Sequence, residues 1–130
     1  MTHVRRIEHV QLAMPQGKEA EARAFYGAVL GMTEVPKPFN LASRGGCWFE
    51  DGAMKLHLGV EDDFRPAKKA HTALVVEGLD GLLAAARALG CETRAQEPAG
   101  DFVQAYVYDP FGNRLELLEP VGGEASDSTQ

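Results

Sequence analysis

Four side chains have the types and placement to do chemistry together: His9, His57, His71 and Glu116. His57 stands between two leucines in KLHLGV, residues 55 to 60, and Glu116 is flanked in the same way in RLELLE, residues 114 to 119. Neighbouring side chains on a β-strand point to opposite faces, so Leu56 and Leu58 enter a core while His57 faces away from it. Leu115 and Leu117 do the same around Glu116. Val10 beside His9, and Leu74 beyond His71, leave those two imidazoles on the face opposite the apolar one as well. Three imidazole nitrogens and a carboxylate suit a borderline divalent ion such as Zn, Ni, Fe(II), Co or Mn, and the His, His, Glu subset has the composition of a facial triad with open positions. A lone histidine on a strand is ordinarily a hydrogen-bonded structural residue. It is the matched parity of four groups that points to a metal, together with a carboxylate that leucine-rich strands seldom carry without a partner. His3, near the terminus, lies outside the pattern and is expected in solvent.

Such groups need a scaffold, and the chain spells one twice. Residues 4 to 14 favour a strand that Pro15 ends, and GKEAEARAFYGAVLG carries a helical stripe of Ala22, Phe25, Tyr26, Val29 and Leu30 with Gly31 as its stop. A loosely defined strand is expected near residues 41 to 44, then a clearer one at CWFED, a hairpin turn through Asp51-Gly52, and the strand MKLHLGV. After the charged connector 61 to 70 the order begins again. HTALVV reads as a strand, and LDGLLAAARALG as a helix with Leu79, Leu82, Leu83, Ala86 and Leu89 on one face. CETRAQ and DFVQAYVY follow as strands, then the turn DPFGN and the last strand RLELLEP. In that turn Pro110 sets φ, Gly112 supplies a positive φ, and Asp109 and Asn113 bond the backbone.

Both halves therefore read βαβββ. His9 aligns with His71 at an offset of 62, and Leu30 with Leu89, Lys55 with Arg114 and His57 with Glu116 at an offset of 59. A duplicated module is the economical explanation. The predicted organisation is one domain over 1–120, with modules at about 4–60 and 71–120, and a flexible tail over 121–130. Each module is too small to close a core alone and must pack against the other or against a partner chain.

Composition narrows the function. A net charge of -6 argues against a nucleic-acid footprint, and no run of apolar residues is long enough for a membrane span or a signal-peptide core. The expectation is a cytoplasmic protein with neither nucleic acid nor membrane as a partner. Cys47 and Cys91 stand alone, as reduced buried thiols do.

The stretches IEHVQLAMP, FYGAVLGM, KLHLGV, HTALVV and DPFGNRLELLE resemble the vicinal oxygen chelate superfamily, which includes glyoxalases, bleomycin-resistance proteins and extradiol dioxygenases. The resemblance covers residues 4 to 120. It implies an α+β fold of two paired βαβββ modules forming a U-shaped mixed-sheet cup, with a divalent metal held by residues of the first and last strands. His9, His71 and Glu116 match the most widely shared ligands. His57 falls on the fourth position, where glyoxalase I enzymes usually have Glu. The implied activity is a glyoxalase-like lyase or isomerase that chelates a vicinal-oxygen substrate, with His57 or Glu116 as the proton-transfer group. The alternatives within the superfamily are a dioxygenase, a thiol transferase, or a metal-free drug- or metabolite-binding protein. Arg44, Trp48, Gln104, Tyr106 and Arg114 are the candidate substrate-binding residues, with Lys55 and Arg114 at the rim for an anion or solvated at strand ends. A homodimer is expected, since a single cupped sheet leaves an edge to cover.

Overall fold

Alternation of buried and exposed positions along the strands organises each half of the chain, and the computed structural model describes residues 1 to 122. The expected tail over 121–130 lies outside the described residues from 123 onward. The chain divides between Phe64 and Arg65 into two compact units, each with one four-stranded sheet.

The first unit runs β1 (Val10–Met14), α1 (Glu19–Ala22), β2 (Thr33–Val35), β3 (Cys47–Asp51) and β4 (Met54–Val60), in sheet order β1-β4-β3-β2. Strand β1 lies parallel to β4 with Val10 opposite Leu56, and β4 returns antiparallel to β3 through the expected Asp51-Gly52 hairpin. Helix α1 continues without a break as a π-helical segment, Arg23–Val29, in which Leu30 N–H bonds the Phe25 carbonyl at 2.9 Å. The wider turn brings successive side chains closer in direction, so the neighbours Phe25 and Tyr26 both enter the core. They pack there with Met14, Ala22, Phe49, Leu56 and Leu58, all essentially inaccessible to solvent.

Two elements differ from the sequence reading. Residues 41 to 44 are not a strand; Phe39–Arg44 forms a 3₁₀ turn that starts directly after Pro38. The second strand of the module is instead Thr33–Val35, a three-residue edge piece before Pro36 that is too short to show alternation. The first strand is also shorter than expected, starting at Val10 rather than Val4, because only residues 10 to 14 have β4 to pair with.

The second unit repeats the plan with β5 (Thr72–Val75), α2 (Leu79–Ala88), β6 (Thr93–Ala95), β7 (Phe102–Tyr108) and β8 (Arg114–Pro120), in order β5-β8-β7-β6. Thr72 stands opposite Leu115, the position that the offsets of 62 and 59 assign from Val10 and Leu56. The duplication therefore extends to strand register. Leu79, Leu83 and Ala86 bury the inner face of α2, whereas Leu89, past its last turn, is half exposed. The Glu119 carboxylate, from β8, accepts the N–H groups of Gly78 and Leu79 at 2.8 and 3.1 Å and so caps the start of α2. Among the described residues no helix is long and apolar enough to cross a membrane.

The DPFGN turn aims β8. Buried Asp109 accepts the N–H groups of Phe111 and Asn113 on Oδ1, each at 2.9 Å, and the Asn113 side-chain amide on Oδ2, also at 2.9 Å. Gly112, at φ +93°, packs against Pro66. Asp109→Ala strands these donors in a buried place and is expected to cost about 2–4 kcal/mol, read as a lower urea midpoint at unchanged slope.

A second anchor joins α1 to the loop before β3. The Gly46 N–H donates to Glu19 Oε2 at 2.8 Å, and a Cβ at Gly46 would meet the Leu58 carbonyl oxygen at 2.2 Å, so only glycine lets this loop lie on β4. That bond holds the Glu19 carboxyl below its ordinary range. A lowered carboxyl pKa stabilises the fold above the unfolded-state value and loses that stabilisation as pH falls through the folded one. Wild type should exceed Glu19→Gln by about 1 kcal/mol at neutral pH, since the bond is charge-assisted but partly wet. Paired urea titrations at pH 7 and pH 3 should show the difference shrinking at the lower pH.

Candidate functional site

In the first unit the register sets Trp48 and Gln11 on either side of His57. The His57 imidazole is 5% exposed, stacked on Trp48 with ring centres 4.0 Å apart and on His9 at 4.3 Å. His9 comes from the residue just before β1. Its Nδ1 lies 2.8 Å from Glu8 Oε1, and the other Glu8 oxygen accepts from Lys55 Nζ at 2.7 Å. These two partners, Lys55 foremost, hold the Glu8 carboxyl down to about 2, so it is ionised and fixes Nδ1 of His9 as the donor. In the neutral ring this leaves Nε2 of His9 as the acceptor. Burial, and next the neighbouring His9, push the His57 imidazole below its ordinary range, which favours its uncharged, electron-pair-donating form.

A cavity of ≈ 380 Å³ opens on this stack, lined by His9, Gln11, Leu41, Trp48, Lys55 and His57. A smaller one of ≈ 250 Å³ shares Gln11, Leu41 and Trp48 and adds Lys37 and Arg44. Arg44 was expected on a strand; it sits at the end of the 3₁₀ turn. Gln11 lies across β4 because residue 59 is glycine, where a Cβ would come 2.4 Å from its Nε2.

In the second unit, Glu116 stands opposite Tyr106 on β7 and Ala73 on β5. His71 Nδ1 lies 2.9 Å from the Lys69 carbonyl oxygen, which can only accept, so Nδ1 carries the hydrogen. Nε2 points at Glu116 Oε1, 3.2 Å away. In the neutral imidazole this sets one acceptor against another, an arrangement that calls for a proton or a cation between them. The Tyr106 ring meets His71 edge-on with centres 5.6 Å apart, and Arg114 lies with Cζ 4.6 Å over the same tyrosine. Arg114 is thus half-buried on aromatic surface rather than solvated at a strand end. The Gln104 amide donates to the Glu97 carbonyl oxygen at 3.0 Å and ties down the loop before β7.

Of the predicted quartet, the structure joins His9 to His57 in one unit and His71 to Glu116 in the other. Among the described residues, neither unit by itself gathers three or more His, Cys, Asp or Glu side chains into a metal-holding group. Glu8 and Gln11 escaped the sequence reading. The signal for Glu8 was present, since a carboxylate adjoining His9 is the usual orienting partner of a ligating imidazole. Both thiols are free and buried, and burial pushes Cys47 up to about 11 and raises Cys91, so neither is an activated nucleophile.

The model of the glyoxalase-like domain family matches residues 11–118. The chain belongs to that family. This places it in the vicinal oxygen chelate superfamily that its motifs resemble. A glyoxalase family protein from Bacillus anthracis is 46% identical, with a TM-score of 0.83 over 92% of this chain and 98% of the other. More distant structures share the fold. A FosX fosfomycin resistance protein variant from Listeria monocytogenes, complexed with Mn(II) and 1S,2S-dihydroxypropylphosphonic acid, is 17% identical with a TM-score of 0.73, covering 89% of this chain and 90% of that one. A glyoxalase/dioxygenase from Nostoc punctiforme is 21% identical with a TM-score of 0.70, covering 89% and 91%. Among curated proteins none matches.

The stack offers its own probe, because Trp48 is the one tryptophan of the chain. Protonated imidazole quenches indole, so metal-free protein should lose emission on acidification with a midpoint below that of an ordinary histidine. His9→Ala, which removes the second cause of the shift, should move that midpoint up, and a fluorescence pH titration of the two proteins reads it.

Proposed function

We propose that the protein is a metal-dependent enzyme of the vicinal oxygen chelate type, a lyase or isomerase acting on a small molecule with two adjacent oxygens. His9, His57, His71 and Glu116 would hold the divalent ion, with Zn, Ni, Fe(II), Co and Mn all compatible with these donors. The observation that carries this reading is the orientation of His71. With Nδ1 given to the Lys69 carbonyl, Nε2 and the Glu116 carboxylate present two electron-pair donors to a common point. His9 repeats the arrangement with Glu8 in place of the carbonyl, and an imidazole oriented through its other nitrogen is the habit of metal ligands. Family membership supports the same reading, as does the Mn(II) that the FosX structure contains.

A bound divalent ion supplies Lewis-acid stabilisation of the negative charge that develops on a substrate oxygen. The remaining work falls to the chain. His57, walled by Trp48, is suited to take a proton on its lone-pair nitrogen when that nitrogen is not engaged with an ion, and the Glu116 carboxylate offers a second acceptor. Trp48 and His9 stack on His57 and shield it from water, which strengthens electrostatic interactions at its ring edge.

Protein purified without chelators and then titrated with Zn(II) or Mn(II) should take up one ion per site. His71→Ala should abolish stoichiometric uptake, and Glu8→Gln should weaken it by roughly 10–100-fold, as loss of an orienting partner does. Wild-type protein that is folded yet takes up neither ion would sink the reading and favour a metal-free binder.

A further inference from the structure

The two units carry the same outward-facing positions on their last two strands, and comparing them exposes one group whose charge is left over. Lys55 on β4 corresponds to Arg114 on β8, and Trp48 on β3 corresponds to Tyr106 on β7, since each faces the candidate ligand of its own unit, His57 or Glu116. In the first unit the cation is satisfied: Lys55 Nζ lies 2.7 Å from a Glu8 oxygen. In the second unit Arg114 has no carboxylate at ion-pair distance among the described residues. Its Nε is shielded from solvent without a hydrogen-bond partner, the sole side-chain nitrogen or oxygen in that condition among the described residues. The guanidinium lies over aromatic surface instead, with Cζ 4.6 Å from the Tyr106 ring centre and 5.9 Å from that of Tyr108.

That is a preorganised anion receptor. Contact with two tyrosines restrains the planar fork, removes part of the entropy cost of ordering it, and leaves its terminal N–H groups for a ligand. A buried N–H without an acceptor is costly, and an oxyanion held by the terminal groups recovers that cost if the fork shifts to bring Nε to it. The location ties the receptor to the candidate metal pair, because the ring beneath Arg114 is the same Tyr106 ring that His71 meets edge-on. The neighbouring Glu116 carboxylate is turned to His71 Nε2 and does not occupy the fork.

We infer that Arg114 binds an anionic oxygen group of the substrate, a carboxylate or a phosphonate or phosphate, one tyrosine ring away from the metal-chelating end. The substrate class is then a small acid whose adjacent oxygens sit a few bonds from its charged terminus. This rests on the metal-site reading for the chelating end alone; the receptor is a property of β7 and β8.

The test is a nitrogen-15 NMR titration of the full chain with methylphosphonate and, separately, acetate, following the Arg114 Nε–H resonance, identified by its absence in Arg114→Lys, and the backbone amides of β7 and β8, which report binding in every variant. The expected result is a saturable shift of these resonances, with affinity read from the backbone amides at least tenfold weaker in Arg114→Gln and unchanged in Lys55→Gln. The stronger of the two anions assigns the terminus as phosphonate-like or carboxylate. Arg114→Lys, which keeps the charge and loses the fork, should bind several-fold more weakly than wild type, and it keeps the test intact if the glutamine variant is misfolded. Zn(II) titration of the same proteins separates the two readings. Loss of the anion response in Arg114→Gln with Zn(II) uptake intact supports the receptor, and an anion response in protein that takes up no Zn(II) supports it while overturning the metal site. No shift of Arg114 Nε–H with either anion, or equal affinity in wild type and Arg114→Gln, overturns the proposal.

Discussion

Everything at the candidate site depends on the two-residue alternation of the last strand in each unit. In β4 and β8 the leucines on one face are sealed into the core, and burying each stabilises the fold by about 1.5–3 kcal/mol. That energy fixes register, because a slip of one residue would expose Leu56 and Leu58, or Leu115 and Leu117, and bury a polar group in their place. His57 and Glu116 are therefore held in position by their neighbours. The parallel partner strand then brings a histidine to the same face from the chain's far end of the module, which is why His9 meets His57 and His71 meets Glu116 across nearly fifty residues of sequence.

The two halves use one plan for different electrostatics. The first unit layers three rings, Trp48, His57 and His9, and closes its charges between Glu8 and Lys55 beside the His9 edge. The second sets a carboxylate against an imidazole and leaves a guanidinium on tyrosine. Duplication supplied matching positions, and divergence at those positions gave one half a pair of imidazoles and the other an imidazole facing a carboxylate.

Much of this was legible from residue order. Period-two alternation marks β3, β4, β7 and β8, the apolar stripe marks α2, and the repeat of HxxL, LG and K/R-L-H/E-L marks the module and the four ligand candidates. What was missed had weak local signals. Thr33–Val35 is too short to alternate, and the 3₁₀ turn after Pro38 carries a leucine and a phenylalanine that mimic strand composition. The fates of Arg114, Lys55 and Gln104 could not be read either, since each turns on which distant partner is within reach: a tyrosine ring, Glu8, or the Glu97 carbonyl. Strand parity gives the face a side chain leaves from and says nothing of what it finds there.

Strand β8 serves two masters. On one face it presents Glu116, and three residues later, on the other, Glu119 grips the first amides of α2. A carboxylate of the candidate site and a clamp on the outer helix are thus cut from one rigid rod. Changes along the outside of α2 will therefore be felt in the placement of Glu116 without touching it.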